Sequence, residues 1–130
     1  MYKKKSLLNE PERKVSWELD KLLGKKYDIH YQVSLGEVLN GIGNESHSVI
    51  NSKRSDFTIT GKNKFTAVAV IEHQGYGHFK NAEHAIRTEI KKTALNKADI
   101  KFIEVFSDEK GNIFPDNIRQ ALKKNELLTD

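Results

Sequence analysis

Cysteine is absent from this chain of 130 residues. That excludes disulfides, thiolate zinc sites and a cysteine nucleophile, and it fits a reducing compartment. Long apolar runs are also missing: nothing approaches the ~20 residues that a membrane-spanning helix needs. The opening MYKKKSLLNEPERK has a lysine run but not the apolar segment of a secretory signal. A cytoplasmic protein with no membrane partner is the expectation. The stretch GKNK lacks the spacing of a phosphate-cradling Walker loop, and no Ser-His-Asp elbow is visible.

Hydrophobic residues make up 37% and charged residues 31%, which is the balance of a globular chain. A length of 130 residues suits a single domain, 1–130, with a core that needs no covalent staples. The net charge of +4 and a pI of about 9.2 lean towards an anionic partner such as nucleic acid. The 18 acidic residues keep this a lean only.

Asn9 is a good helix N-cap, with Pro11 in the first turn and Glu12 at the capping-box position. Val15, Leu19, Leu22 and Leu23 recur at helical spacing, Trp17 falls on a flank, and Gly24 ends the pattern. A helix over 10–23 follows. Residues 27–35 alternate as a strand with Ile29, Tyr31 and Val33 on one face. One helical turn is expected within 36–43 and a polar loop over 44–54. The segments SDFTIT (55–60) and FTAVAVIE (65–72) read as strands of an antiparallel hairpin joined by GKNK. The second is apolar on both faces and should be central.

A helix over 81–98 places Ala82, Ile86, Ile90 and Ala94 on one stripe, with Leu95 and Ala98 beside it. A buried strand over 100–106 and a last short helix from Pro115 to Leu122 complete the chain. The order α-β-β-β-α-β-α, with a hairpin followed by a strand–helix–strand crossover, predicts an α/β fold. Its mixed sheet should be flanked by helices.

Hairpin geometry singles out the candidate site. With the turn near Asn63 and Lys64, Asp56 falls opposite Glu72 at the open end. Like charges directly across a sheet are destabilising. Such a pair suits a hard divalent ion, which takes one or two carboxylates plus water and phosphate. Gln74, two residues beyond Glu72, returns to the same face. The same residues admit a plainer reading: Asp56 capping a turn, Glu72 paired with Lys80 or Arg87, and Gln74 on the surface. His73, His78 and His84 cluster in sequence, but their spacings match no zinc motif. GYGHFKN, with Lys80, reads either as a loop touching a nucleic-acid backbone or as a turn into the next helix.

The strings KRSDFTI, VIEHQGYGH and RTEIKKTALNKADIKFIEV resemble a bacterial family of unknown-function domains in the restriction-endonuclease-like PD-(D/E)XK nuclease superfamily. LLNEPERK is similar to that family's opening helix, with Glu12 and Arg13 matching its Glu-Arg pair. The resemblance runs from about Leu7 to Leu122, on motifs that are individually short. It implies a restriction-endonuclease-like fold and hydrolysis of phosphodiester bonds, in DNA first of all, with Mg²⁺ or Mn²⁺.

On that resemblance Asp56 and Glu72 bind the metal and Glu12 adds a metal or water contact. Gln74 occupies the place of the residue, usually lysine, that orients the attacking water. Lys91 would supply the missing positive charge from the neighbouring helix. Arg54, His78, Lys80 and Arg87 would contact nucleic acid. A single site cuts a single strand, so two-strand cleavage would call for a homodimer. The chain departs from the pattern at Gln74, at Thr88 where an Asp is usual, and at Ser55 where the motif has Pro. Those departures keep a second expectation in view: an inactive nucleic-acid-binding or protein-interaction module on the same fold.

Overall fold

The computed structural model describes residues 1–39, 53–76 and 81–129. The predicted contacts His78 and Lys80, the polar loop up to residue 52 and the end of the predicted helical turn lie outside the described residues.

Helix α1 (Glu10–Leu23) begins where its capping chemistry dictates. The Glu12 N–H donates to Asn9 Oδ1 at 2.9 Å and the Asn9 N–H donates to Glu12 Oε1 at 2.9 Å. Together they satisfy two of the N–H groups that a helix start leaves open. Strand β1 (Tyr27–Ser34) runs into a single turn, α2 (Leu35–Val38). Strands β2 (Arg54–Gly61) and β3 (Ala67–Gln74) form the hairpin. Helix α3 (Ala82–Lys97) crosses to β4 (Lys101–Phe106), and α4 (Pro115–Lys124) closes the order, with proline in its first turn.

The sheet is mixed, in the order β1-β2-β3-β4. Its first two pairings are antiparallel, and β3 with β4 is parallel, as the α3 crossover requires. On one face Val15, Leu19 and Leu23 of α1 and Ile118 and Leu122 of α4 pack on Phe57, Ile59, Ala69, Ile71, Ile103 and Val105. Each buried Val, Leu, Ile or Phe side chain among them contributes roughly 1.5–3 kcal/mol of transfer free energy. On the other face Leu35 and Leu95 cover Val70 and Ile100. β3 is therefore central and covered on both sides. Among the described residues no helix is long and apolar enough to cross a membrane.

Three local expectations are corrected. β3 starts at Ala67 rather than Phe65, which is 98% exposed in the hairpin loop. A register shift at Ile59/Thr60 and a left-handed Asn63 (φ 59°) widen that loop. Of the expected apolar stripe of α3 only Ala94 turns inward; Ala82, Ile86 and Ile90 face solvent, with Ile86 61% and Ile90 39% exposed. The row turned inward is instead Ala85, Thr88, Lys91, Ala94 and Leu95, spaced as one helix face. Third, Val33 does not share a face with Ile29 and Tyr31. Those two pack on the α1 core, whereas Val33 lines a cavity on the opposite face with His30 and Thr58. The alternation slips at Gln32, whose φ of 55° is left-handed.

Candidate functional site

The antiparallel ladder between β2 and β3 brings Phe57 opposite Ile71, one step short of Asp56 and Glu72. There the backbone pairing gives way to side chains. The Asp56 N–H donates to Glu72 Oε2 at 2.9 Å, and the His73 N–H donates to Asp56 Oδ2 at 2.8 Å. Each carboxylate thus caps an amide of the opposite strand. Glu72 lies within β3 and is buried, and Gln74, also buried, ends the same strand. The two-residue alternation returns Gln74 to Glu72's face.

Two helices close on the pair. From α3, Lys91 Nζ donates to Glu72 Oε1 and, at 3.3 Å, to the Arg54 carbonyl. The Lys91 and Glu72 side chains are only 13% and 9% exposed, so this is an ion pair largely out of water. From α1, Glu12 is buried and its carboxylate comes within hydrogen-bond reach of Asp56. Oε2 of Glu12 also accepts a hydrogen bond from Gln32 Nε2 at 3.2 Å. β4 adds Glu104, which stands beside Glu72 in the parallel ladder.

The electrostatic result is concentrated on Asp56. Burial pushes its carboxyl up to about 7, and the Glu72 charge pushes the same way. The His73 N–H opposes them, while the charge and hydrogen bond of Glu12 add to the rise. The neighbouring His73 is pushed below its ordinary value by burial, with the Glu12 charge opposing. Its Nε2 lies 3.2 Å from Ser107 Oγ.

Of the residues singled out in the sequence, Asp56, Glu72, Glu12 and Lys91 are brought together, with Gln74 at the end of the same strand. Arg54 contributes its carbonyl, and its residue is exposed. Arg87 is not part of this cluster: it pairs with Glu83 one turn earlier on the exposed surface of α3. Lys91, rather than Lys80 or Arg87, is Glu72's partner. Among the described residues no group of three or more histidine or acidic side chains is assembled as a metal site. Any ion here would rest on the Asp56–Glu72 pair and on water.

Gln32 and Glu104 escaped the sequence reading. Glu104 had a signal, being the one acid in the strand IKFIEVF, but its neighbour follows only from the parallel register. Gln32 had none, since left-handed backbone is not written in a side chain of that type.

Fold and site together define an α/β protein with a mixed four-stranded sheet and a buried acidic cluster at the end of its central hairpin. A family model described as "Protein of unknown function (DUF2726)" matches residues 4–125, and the chain belongs to that family. An "Uncharacterized protein" of Haemophilus influenzae (strain ATCC 51907 / DSM 11121 / KW20 / Rd) is 40% identical over 130 residues. That match covers 95% of this chain and 67% of the relative. The "Uncharacterized protein y4bI" of Sinorhizobium fredii (strain NBRC 101917 / NGR234) is 33% identical over 121 residues, 91% of this chain and 84% of the relative. No solved structure matches.

Proposed function

We propose that this chain is a metal-dependent nuclease-like domain of the PD-(D/E)XK type. It would hydrolyse phosphodiester bonds, in DNA on the strength of its basic balance, with Mg²⁺ or Mn²⁺ held by Asp56 and Glu72. The observation that carries this reading is the meeting of two carboxyl groups across β2 and β3, with Glu12 within reach of Asp56. Burial makes their charge costly there, and Lys91 offsets only part of it. Oxygen donors of this kind fit a hard divalent cation, for which one or two carboxylates suffice. Such an ion, when bound, stabilises the charge that builds on the phosphoryl oxygens.

The chain's own residues supply the rest. Asp56, whose carboxyl burial pushes up to about 7, would give up its proton to hold such an ion in the neutral range. Lys91 Nζ stands at Glu72 and takes the place of the lysine that position 74 lacks. Gln74 can orient a water through its amide but cannot accept its proton. Arg54 and Arg87 lie at the surface, where phosphates of a nucleic acid would be met. Two-strand cleavage would require a homodimer.

The test is cleavage of single- and double-stranded DNA with Mg²⁺, Mn²⁺ or chelator. Cleavage is expected only with metal, and Asp56→Asn or Glu72→Gln should lower it by about 100-fold or more. A wild-type protein that cuts nothing, and whose melting temperature Mn²⁺ leaves unchanged, would refute the reading.

One observation favours the second reading, an inactive binding module. Both carboxylates already cap backbone amides, and Glu72 is paired with Lys91, so the strand end is closed without any ion. DNA binding without metal, lost steeply as salt rises, would support that alternative.

A further inference from the structure

Tyr31 and Gln32 are neighbours in β1, and strand alternation should send their side chains to opposite faces. They go to the same helix instead. Tyr31 Oη accepts from Ser16 Oγ at 3.1 Å, and Gln32 Nε2 donates to Glu12 Oε2 at 3.2 Å. Glu12 and Ser16 are four residues apart on one face of α1. Tyr31 meets Phe57 edge-on, with ring centroids 5.9 Å apart, and so points into the α1 core. Gln32 reaches that side because its backbone is left-handed, at φ 55°. The strand remains paired on both sides of it, Tyr31 with Phe57 and Val33 with Ser55. A conformation that residues with a Cβ disfavour is thus held in mid-strand, and its effect is to aim one amide at one carboxylate.

That register sets Gln32 level with Asp56, whose carboxyl is the other partner of Glu12. The Glu12 carboxylate is therefore fixed from three sides: the Asn9 amide, the Gln32 side chain and Asp56. We infer that Gln32 is a positioning residue, kept in left-handed backbone so that its amide holds Glu12 against Asp56 and tunes the cation site. This role rests on the cation-site reading above. It acts through Glu12 and not on the ion itself, as outer partners of metal ligands do.

Mn²⁺ titration calorimetry with metal-free melting separates this role from a structural one. Gln32→Gly removes the amide and relieves the left-handed backbone; Gln32→Met removes the amide and keeps the backbone cost. Without metal, Gln32→Gly should melt at or above the wild-type temperature and Gln32→Met below it. Both should nevertheless bind Mn²⁺ about 10-fold more weakly. Adding Gln32→Gly to Glu12→Ala should cause no further loss of affinity, since Glu12→Ala already removes the carboxylate that Gln32 holds. Wild-type Mn²⁺ affinity in both Gln32 variants would overturn the inference, as would losses that simply add with Glu12→Ala. A wild-type chain that binds no Mn²⁺ would instead refute the cation site, and this role with it.

Discussion

Asp28 and Asp56 present the same chemistry in two settings. Each lies in a strand, and each accepts a backbone N–H at 2.8 Å, from Asn63 and His73 respectively. Yet Asp28 is shifted below the ordinary aspartate value and Asp56 above it, to about 7. At the hairpin loop, the Asn63 N–H and then Lys62, 3.2 Å away, favour the charged form of Asp28. At the open end, burial and the charges of Glu72 and Glu12 disfavour the charged form of Asp56 by more than the His73 N–H favours it. One hydrogen bond does not decide a carboxylate's state; burial and surrounding charge do. The loop end reads as ordinary surface structure, and the open end carries electrostatic strain of the kind found at functional sites.

The largest test of that contrast removes the positive charge from the strained end. Lys91→Met leaves Glu72 buried without its ion-pair partner and should cost about 3 kcal/mol of stability in chelator. Mn²⁺ should restore much of the loss in a melting experiment. Next comes Asp56→Asn, whose amide keeps an acceptor for the His73 N–H. Because the folded value of Asp56 lies above the ordinary 3.8, its contribution is present below about pH 4 and lost as pH rises through 7. Wild-type stability should therefore fall across that window. The variant should be more stable by about 1–2 kcal/mol at pH 8, with the gap closing towards pH 4.

Glu72→Gln should bring the Asp56 midpoint down from about 7, read by carboxyl-carbon NMR, because it removes the second largest cause of the rise. The smallest effect belongs to Asp28→Asn, and its sign is reversed. The lowered value of Asp28 contributes stability above the ordinary aspartate range, lost as pH falls through the folded value. The variant should melt slightly lower at pH 7 and match wild type in strong acid. High salt should shrink the difference, since Lys62 is half exposed.

Where structure depends on local chemistry, it was legible in the sequence. Asn9, Pro11 and Glu12 marked the start of α1, and Gly24 its end, to the residue. The apolar run of β3 marked a central strand, and counting outward from the loop set Asp56 beside Glu72. The pairing next to the turn, Thr60 with Ala67, would by itself set Asp56 level with Ile71; the extra β3 residue between Ala67 and Ala69 shifts the register by one and sets it level with Glu72.

What depends on tertiary context was not legible. Ile86 and Ile90 looked buried, but the helix turns Lys91 inward in their place, beside Ala94 and Leu95. Burying Glu72 calls for a cation opposite it more than Ile86 calls for cover. The neighbour of Glu104 depends on a crossover register, and Gln32 on a single dihedral angle.

A crystal soaked in Mn²⁺ and measured for anomalous scattering decides whether the Asp56–Glu72 pair is a cation site. A peak is expected about 2.1 Å from one oxygen of each carboxylate, with Lys91 Nζ drawn away from Glu72. No peak at saturating Mn²⁺, with Lys91 still seated on Glu72, would rule the cation site out.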